Sequence, residues 1–260
     1  MSAEQGFGYI KTDIMRSMRR KNLIPSILGV ILVLIFSVEN TLYATGSVLY
    51  VFTNSTDRIG FMITFVFCSY AYGTSFSEDL ESSYIRYALI RGNLKRYVCS
   101  KVITILFLSI FVMVVGCLLF AFLCRIWLPW HDPYAKENVI ASSMFAVLIE
   151  HNMVVPWIFL FGFLRGICAG VLTLISSLAS LFITNKMLVL AMPALVYQLT
   201  TDLFTGIFSE LDFLGFWITF DLQKSIFYNG MHSFLWAVFY ALLLSCMMGI
   251  AIYKKIGEKI

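Results

Sequence analysis

Residues 102–124 read VITILFLSIFVMVVGCLLFAFLC and contain no charged side chain. A helix of this length extends at about 1.5 Å per residue, enough to cross the roughly 30 Å hydrocarbon core of a bilayer. A chain inside lipid must hydrogen-bond its own backbone, and an α-helix does so within a single segment. The stretch therefore predicts a transmembrane helix.

The composition extends this prediction to the whole chain. Of 260 residues, 60% are hydrophobic and 13% are charged, whereas soluble domains average about 45–50% and about 25%. The six cysteines form no C-x-x-C pair and the three histidines are isolated, which argues against a disulfide framework or a metal site. We expect an all-α polytopic membrane protein, with residues 1–260 forming one transmembrane domain.

Six apolar stretches are long enough, or nearly so, to span a membrane. They cover about residues 23–42, 59–76, 102–124, 157–184, 187–199 and 233–253. Lys and Arg concentrate in cytoplasmic connections. If the N-terminus is inside, the outer connections hold only Arg58, Arg125, Lys136 and Lys224, Arg165 lies within a span, and every other Lys and Arg is inside. We therefore expect six crossings with both termini cytoplasmic.

Two further segments are expected to lie along the membrane surface. In residues 1–22, a helical apolar stripe of Phe7, Ile10, Ile14 and Met18 predicts an interfacial helix, although a solvated tail remains the alternative. Residues 200–232 are aromatic and apolar yet carry four acids. They are too charged for a span and too apolar for open water, so a re-entrant or membrane-surface element on the outer side of the membrane is predicted.

Residues 77–101, SEDLESSYIRYALIRGNLKRYVCSK, carry eight charges between two apolar runs. Three acids come first, five bases follow, and apolar Tyr84, Ile85 and Leu89 lie among them. An apolar group rimmed by charge is typical of a docking surface. A simple positive-inside signal would explain the bases, but it would not explain the acids or the apolar cluster.

The order of these segments resembles a type-2 ATP-binding-cassette (ABC) transporter permease. That family has an interfacial elbow helix, six spans, a cytoplasmic coupling helix between spans two and three, and re-entrant helices between spans five and six. Glu78, Glu81, Arg96 and Lys101 are similar to its coupling-helix pattern. GVLTLISSLASLFITNKMLVLAMPALVYQL, residues 170–199, resembles its junction of spans four and five. One departure is Arg91-Gly92-Asn93, where the family often has a proline.

The resemblance implies the membrane subunit of a bacterial exporter in the cytoplasmic membrane. Its substrate would be an amphipathic peptide, such as an antimicrobial peptide, or an antibiotic or lipid-like molecule. The chain has no G-x-x-x-x-G-K-[ST] loop for nucleotide phosphates, so we expect no catalysis by the chain itself and no cofactor in it. A separate ATPase subunit would carry ATP and Mg. Further expected partners are a second permease chain, identical or related, and membrane lipid, but not nucleic acid. The residues expected to dock the ATPase are Glu78, Asp79, Glu81, Tyr84, Ile85, Arg86, Leu89, Arg91, Arg96 and Lys101.

Within the spans, a few residues are singled out by charge or spacing. Arg165 is costly in lipid and must face protein or water, either as a substrate contact or in a structural bond to a carbonyl or an acid such as Glu150. Tyr72 and Tyr197 are candidate pathway residues. Small residues that allow close helix packing are Gly162, Gly166, Gly170, Ser245 and Gly249.

Two other functions remain open from the sequence. An ion-coupled secondary transporter usually needs acids within its spans, and none lies in the middle of the six predicted ones. A non-transporting membrane scaffold or enzyme is the other alternative. No nucleophile and base at a recognisable spacing supports an enzyme.

Overall fold

The computed structural model describes residues 12–38, 46–82, 85, 93–183, 185–227 and 229–258. Every regular element within these ranges is helical. The α-helices are α1 (12–18), α2 (Leu23–Phe36), α3 (Val48–Asp57), α4 (Ile63–Tyr72), α5 (Ser75–Glu81), α6 (Leu94–Arg125), α7 (Pro133–Ser142), α8 (Ala146–Glu150), α9 (Val154–Ala179), α10 (Lys186–Thr205), α11 (Phe216–Thr219) and α12 (Gly230–Gly257). Short 3₁₀ helices cover Ile59–Met62 and Ser209–Leu214.

Five stretches of the described chain are long and apolar enough to cross a membrane: Ile59–Glu81, α6, α9, α10 and α12. The predicted first span is represented by α2, which is apolar but has only 14 residues. At 1.5 Å per residue it is about 21 Å long, shorter than the hydrocarbon core. Residues 39–42 of that predicted span lie outside the described part of the chain. The α-helical membrane class is confirmed, with five candidate spans.

Asparagine and aspartate side chains start several of these helices. Asn93 accepts a hydrogen bond from the backbone N–H of Lys95 and begins α6. Asn185 and Asn229 begin α10 and α12 in the same way. At α7, Asp132 provides the cap and proline follows at the first helical position, where its missing N–H breaks no hydrogen bond.

α9 is the central helix of the bundle. In its most apolar stretch, 78% of the residues are buried, against 11% in α10 and 22% in α12. It packs most extensively on α6, and its glycines make the close approach. A Cβ at Gly162 would lie 3.0 Å from the Cα of Val114, and a Cβ at Gly166 would lie 2.7 Å from the Cα of Ile110.

Gly170 follows the same pattern, because its added Cβ would lie 2.8 Å from a side-chain carbon and 3.2 Å from the Cα of Leu106. In α12, Ser245 is buried. An added Cβ at Gly249 would make only an ordinary 3.6 Å contact with Val102. The α6–α9 contact therefore requires small residues, whereas the position of Gly249 has room for a methyl group.

The bundle has two ends of different character. At the basic end, α1, α5, the start of α6, the α9–α10 turn and the end of α12 come together. There a buried cluster includes Ile85, Tyr97, Leu181 and Ile256. At the far end, α3, α7, α8 and α11 cover the helices, and the backbone N–H of Val48 donates to the carbonyl of Pro129 at 2.8 Å.

Several boundaries differ from the sequence predictions. α10 contains Pro193 without ending there, and it continues to Thr205, six residues beyond the predicted end at Leu199. α9 ends at Ala179, before the predicted Thr184. Between α10 and α12, the chain forms only short helices, and the re-entrant arrangement stays a prediction.

The predicted N-terminal helix is described only from residue 12 onward, so Phe7 and Ile10 lie outside the described residues. In α1, the polar Asp13 and Ser17 are buried, whereas Met18 is exposed. Residues four apart share a helix face, so α1 turns a polar face to the protein. Its placement in a membrane interface stays a prediction.

Candidate functional site

The charged segment, residues 77–101, is divided between the interior and the surface. Asp79, Ile85 and Lys101 were predicted to contact a partner, but each is no more than 1% exposed. Glu81 is exposed. Four other predicted docking residues lie outside the described part of the chain: Tyr84, Arg86, Leu89 and Arg91.

Asp79 is the centre of a buried network that joins three helices. Its Oδ2 lies 2.5 Å from the Nζ of Lys101 and accepts a hydrogen bond from the hydroxyl of Tyr97 at 2.8 Å. Its Oδ1 lies 3.3 Å from the Nη2 of Arg16. One carboxylate of α5 is therefore connected to α6 through Lys101 and Tyr97, and to α1 through Arg16.

Aromatic rings surround the buried ammonium group of Lys101. Its Nζ lies 5.0 Å from the ring centroid of Tyr72 and 5.6 Å from those of Phe76 and Tyr97, distances at which a ring face attracts a cation. It also lies 3.4 Å from the carbonyl oxygen of Ser75, to which it donates. Tyr72, predicted to line a pathway, is buried in this cluster.

A second set of contacts holds α1 and the residues after it against the same site. Ser100 donates a hydrogen bond to Asp13 at 2.7 Å. Arg20 pairs with Glu78 at 3.0 Å, and its guanidinium lies 4.7 Å from the centroid of the Tyr72 ring. Three ionic or hydrogen-bond contacts thus join the charged segment to α1 and the residues after it, and two join the ends of the segment to each other.

Beside this network, the surface of the basic end contains a cavity of about 220 Å³. It lies between α5 and the α9–α10 turn, and its lining includes Ser77, Glu81, Phe182 and Lys186. Glu81 and Lys186 approach to 3.8 Å, and both side chains are more than half exposed. Arg96 is half-buried at the start of α6. Glu81, Lys186 and Arg96 are available for contact with another molecule.

Arg165 is buried near the far end and has a partner that the sequence analysis did not identify. Its Nη2 lies 2.8 Å from the Oδ2 of Asp221, and both side chains are nearly inaccessible. Its Nη1 donates to the hydroxyl of Tyr197 at 3.2 Å. The guanidinium also lies 5.4 Å and 5.6 Å from the ring centroids of Phe61 and Phe161. The acid paired with Arg165 is Asp221, not Glu150.

This ion pair forms one wall of a second cavity, of about 190 Å³. Its lining includes Arg165, Tyr197, Asp221 and Asp57. The nearby Nζ of Lys224 lies 3.7 Å from Asp221. Burial lowers the pKa of Lys224, although the carboxylates of Asp221 and Asp57 favour its charged form. Arg165 and Tyr197, both predicted pathway residues, lie together beside this cavity.

The partner of Arg165 left only a weak signal in the sequence. An arginine in an apolar helix needs a counter-ion, and the far end has several acids besides Glu150. Which of these acids pairs with Arg165 depends on how the connection between α10 and α12 folds, because Asp221 lies in that connection. Likewise, Asp13 and Ser100 are far apart in sequence and give no local pattern.

No group of histidine, cysteine, aspartate or glutamate in the described ranges is arranged to hold a metal ion. The chain matches no protein-family model, no curated protein and no solved structure. The class that the fold and composition define is a multi-pass α-helical membrane protein.

Proposed function

We propose that this chain is the membrane-spanning permease subunit of an ATP-driven exporter in a bacterial cytoplasmic membrane, with both termini cytoplasmic. A separate ATPase, which binds ATP and Mg, would dock at the basic end. The proposal rests on the membrane-helix bundle, on the resemblance in the order of segments and on the charged segment between Ile59–Glu81 and α6.

The Asp79 network is the observation that carries this proposal. Breaking the buried Asp79–Lys101 pair by removing one partner costs about 3–5 kcal/mol, so α5 and α6 resist separation at this point, and Arg16 and Asp13 attach α1 to them. A displacement applied to residues 82–93 would therefore move the ends of three helices together. A coupling element needs such a stiff attachment, whereas a flexible linker would not need a buried carboxylate.

This geometry divides the predicted docking residues into two roles. Asp79 and Lys101 are positioning residues, because both are buried and bonded to each other. Glu81 and Arg96 are the described residues available for direct contact with an ATPase. The cavity between Glu81 and Lys186 would receive a side chain of that partner.

The remaining partners are assigned by exposure and by resemblance. α10 and α12 present mostly exposed apolar side chains, which suit lipid or a second permease chain. The substrate is proposed to be an amphipathic peptide, antibiotic or lipid-like molecule. Arg165 and Tyr197, at their cavity, would contact it near the far end.

The docking surface is tested by photo-crosslinking in the native membranes. A photoreactive amino acid at position 81 should capture a protein whose sequence, identified by mass spectrometry, contains a phosphate-binding P-loop. Position 258 is a matched control at the same end. Glu81 and Glu258 are each 64% exposed, and each lies near a lysine.

The variant Glu81→Lys should then reduce the amount of co-purified ATPase at least about tenfold, equivalent to about 1.4 kcal/mol. Glu258→Lys should leave it unchanged, and both variants should insert into membranes in wild-type amounts. Capture of a protein without a P-loop, or equal loss of the ATPase in both variants, would overturn the proposal.

An ion-coupled carrier is the second candidate, and one observation favours it. Asp79 and Asp221 are both buried, and carboxylates inside membrane proteins often bind protons or cations. Both carboxylates are paired with a cation at 2.8 Å or less, which leaves neither free to take up an ion. Transport by reconstituted chain that needs a proton or sodium gradient, but not the ATPase, would favour the carrier.

A further inference from the structure

A third cavity lies at the far end, between α3 and α7, and neither the docking surface nor Arg165 belongs to it. Its volume is about 290 Å³, near the lower limit of typical ligand pockets of roughly 300–1,000 Å³. We call it the tyrosine cavity. The residues that give it its chemistry are Tyr50, Asn54, Asp57, Tyr134, Asn138 and Gln223.

The walls of the tyrosine cavity are held together by direct bonds. Asp132, the cap of α7, accepts a hydrogen bond from the hydroxyl of Ser47 at 3.1 Å, and Ser47 in turn caps α3. Gln223 donates from its Nε2 to the hydroxyl of Thr56 at 2.9 Å, which joins the α11–α12 connection to α3. The cavity is therefore formed before any ligand arrives.

The polar residues of the cavity lining include two amide groups. One N–H of Asn54 donates to the carbonyl of Tyr50 at 3.0 Å, and one N–H of Gln223 donates to the hydroxyl of Thr56. Their amide oxygens have no donor within the described parts of the chain. A ligand that supplies N–H donors would satisfy them.

Asp57 is the one charged side chain among the residues lining the cavity. Across the described ranges, its carboxylate makes no hydrogen bond and no ion pair. Burial and the nearby charge of Asp221 raise the pKa of Asp57, against the smaller opposing effects of Lys224 and Arg165. Asp57 is also exposed to solvent, so its carboxylate is accessible to a positively charged ligand in the cavity.

The two tyrosine rings add a preference for an organic cation. The ring centroids of Tyr50 and Tyr134 are 6.4 Å apart and the rings are tilted by 53°, so the two rings contact each other and form an aromatic part of the cavity lining. A cation within about 6 Å of a ring face is attracted by the ring's quadrupole. One carboxylate is few for Ca²⁺, which takes about 6–8 oxygen ligands.

We propose that the tyrosine cavity binds a small organic ammonium group, with Asp57 as the counter-ion and the rings of Tyr50 and Tyr134 against the carbon atoms beside the charge. The ammonium group belongs either to a water-soluble amine or to the headgroup of a lipid. This binding is independent of the proposed ATP-driven transport, because it requires only the chain itself.

Binding is measured by calorimetry on the purified full chain in an uncharged maltoside detergent, with butylammonium as the probe. 1-Butanol is the matched uncharged probe, and sodium chloride keeps the ionic strength constant. Saturable binding of butylammonium with no saturable binding of 1-butanol is the expected result. Equal binding of both probes, or no saturable binding of butylammonium, would overturn the proposal.

Three variants assign the binding to this cavity. Asp57→Asn should weaken butylammonium binding at least about tenfold, because a charged partner is lost. Tyr134→Leu should also weaken it, and the 60% exposure of Tyr134 means that the change leaves the core intact. Glu137→Gln, on α7 but outside the cavity lining, should stay within about twofold of the wild type.

Thermal unfolding of each variant checks that it folds. Wild-type affinity in a folded Asp57→Asn variant would overturn the proposal. The source of the ammonium group is then tested in phosphatidylglycerol nanodiscs with and without phosphatidylethanolamine. Lower apparent affinity for butylammonium with phosphatidylethanolamine assigns the site to a lipid headgroup, and unchanged affinity assigns it to a soluble amine.

Discussion

Replacing Gly166 with alanine tests the close contact between α6 and α9. The added Cβ would lie 2.7 Å from the Cα and 3.3 Å from the carbonyl oxygen of Ile110. Both are backbone atoms, so a helix must shift. Overpacking of this kind costs about 1–3 kcal/mol, and the better helix propensity of alanine recovers at most about 1 kcal/mol. The expected result is a decrease of about 1–2 kcal/mol in the free energy of unfolding.

The assay is reversible unfolding of the purified chain in mixed detergent micelles, followed by circular dichroism. Gly249→Ala is the matched control, because its added Cβ would meet only a side-chain carbon of Val102 at 3.6 Å. It should leave stability unchanged or raise it by up to about 1 kcal/mol. If both alanine variants were equally stable, the inferred tight packing of α6 on α9 would be refuted.

Two further predictions concern buried or partly buried charges. Lys101→Met should lower the free energy of unfolding by about 3–5 kcal/mol, because Asp79 is left buried without its closest partner. The double variant Asp79→Leu, Lys101→Met should recover part of this loss. If the effects of the two substitutions on the free energy of unfolding simply added, an interaction between Asp79 and Lys101 would be refuted. The raised pKa of Asp57 means that the folded state holds its proton more strongly, so wild-type stability should fall as pH rises from about 3.8 to that higher pKa. Across this interval, the thermal midpoint of Asp57→Asn should increase relative to the wild type, and a relative decrease would show that the sign is wrong.

The membrane-protein class could be predicted from the sequence because each long apolar run can be recognised from consecutive residues, without knowledge of the tertiary contacts. The uncharged run within α6 is one example, because a helix long enough to cross a membrane satisfies its own backbone hydrogen bonds in lipid. The boundaries were harder to predict. Leu199 marks the end of the apolar run, yet α10 continues because the threonines that follow are compatible with a helix and bond to the preceding turn.

The charged sites were predictable in position but not in arrangement. Asp79 and Lys101 were singled out by their place between two spans, yet their burial depends on Tyr72, Phe76 and Tyr97 meeting around them. Those aromatic residues are visible in the sequence, but their convergence requires α4, α5 and the start of α6 to meet around Lys101. The sequence suggested Glu150 as a possible partner of Arg165, whereas the structure has Asp221. The reason is the same, because pairing between residues far apart in sequence leaves no periodic pattern.

The pairing of Arg165 with Asp221 has a consequence for how the protein is made. α9 leaves the ribosome before α10, and the segment with Asp221 emerges only after α10 is complete. The insertion machinery therefore receives α9 before its arginine has a counter-ion. An arginine near a helix centre costs about 2.5–3.5 kcal/mol on insertion. The apolar residues of α9, whose most apolar stretch has a mean hydropathy of 2.2, must offset this cost. Neutralisation waits until the segment after α10 has emerged, so closure of this ion pair follows the synthesis of both α9 and α10.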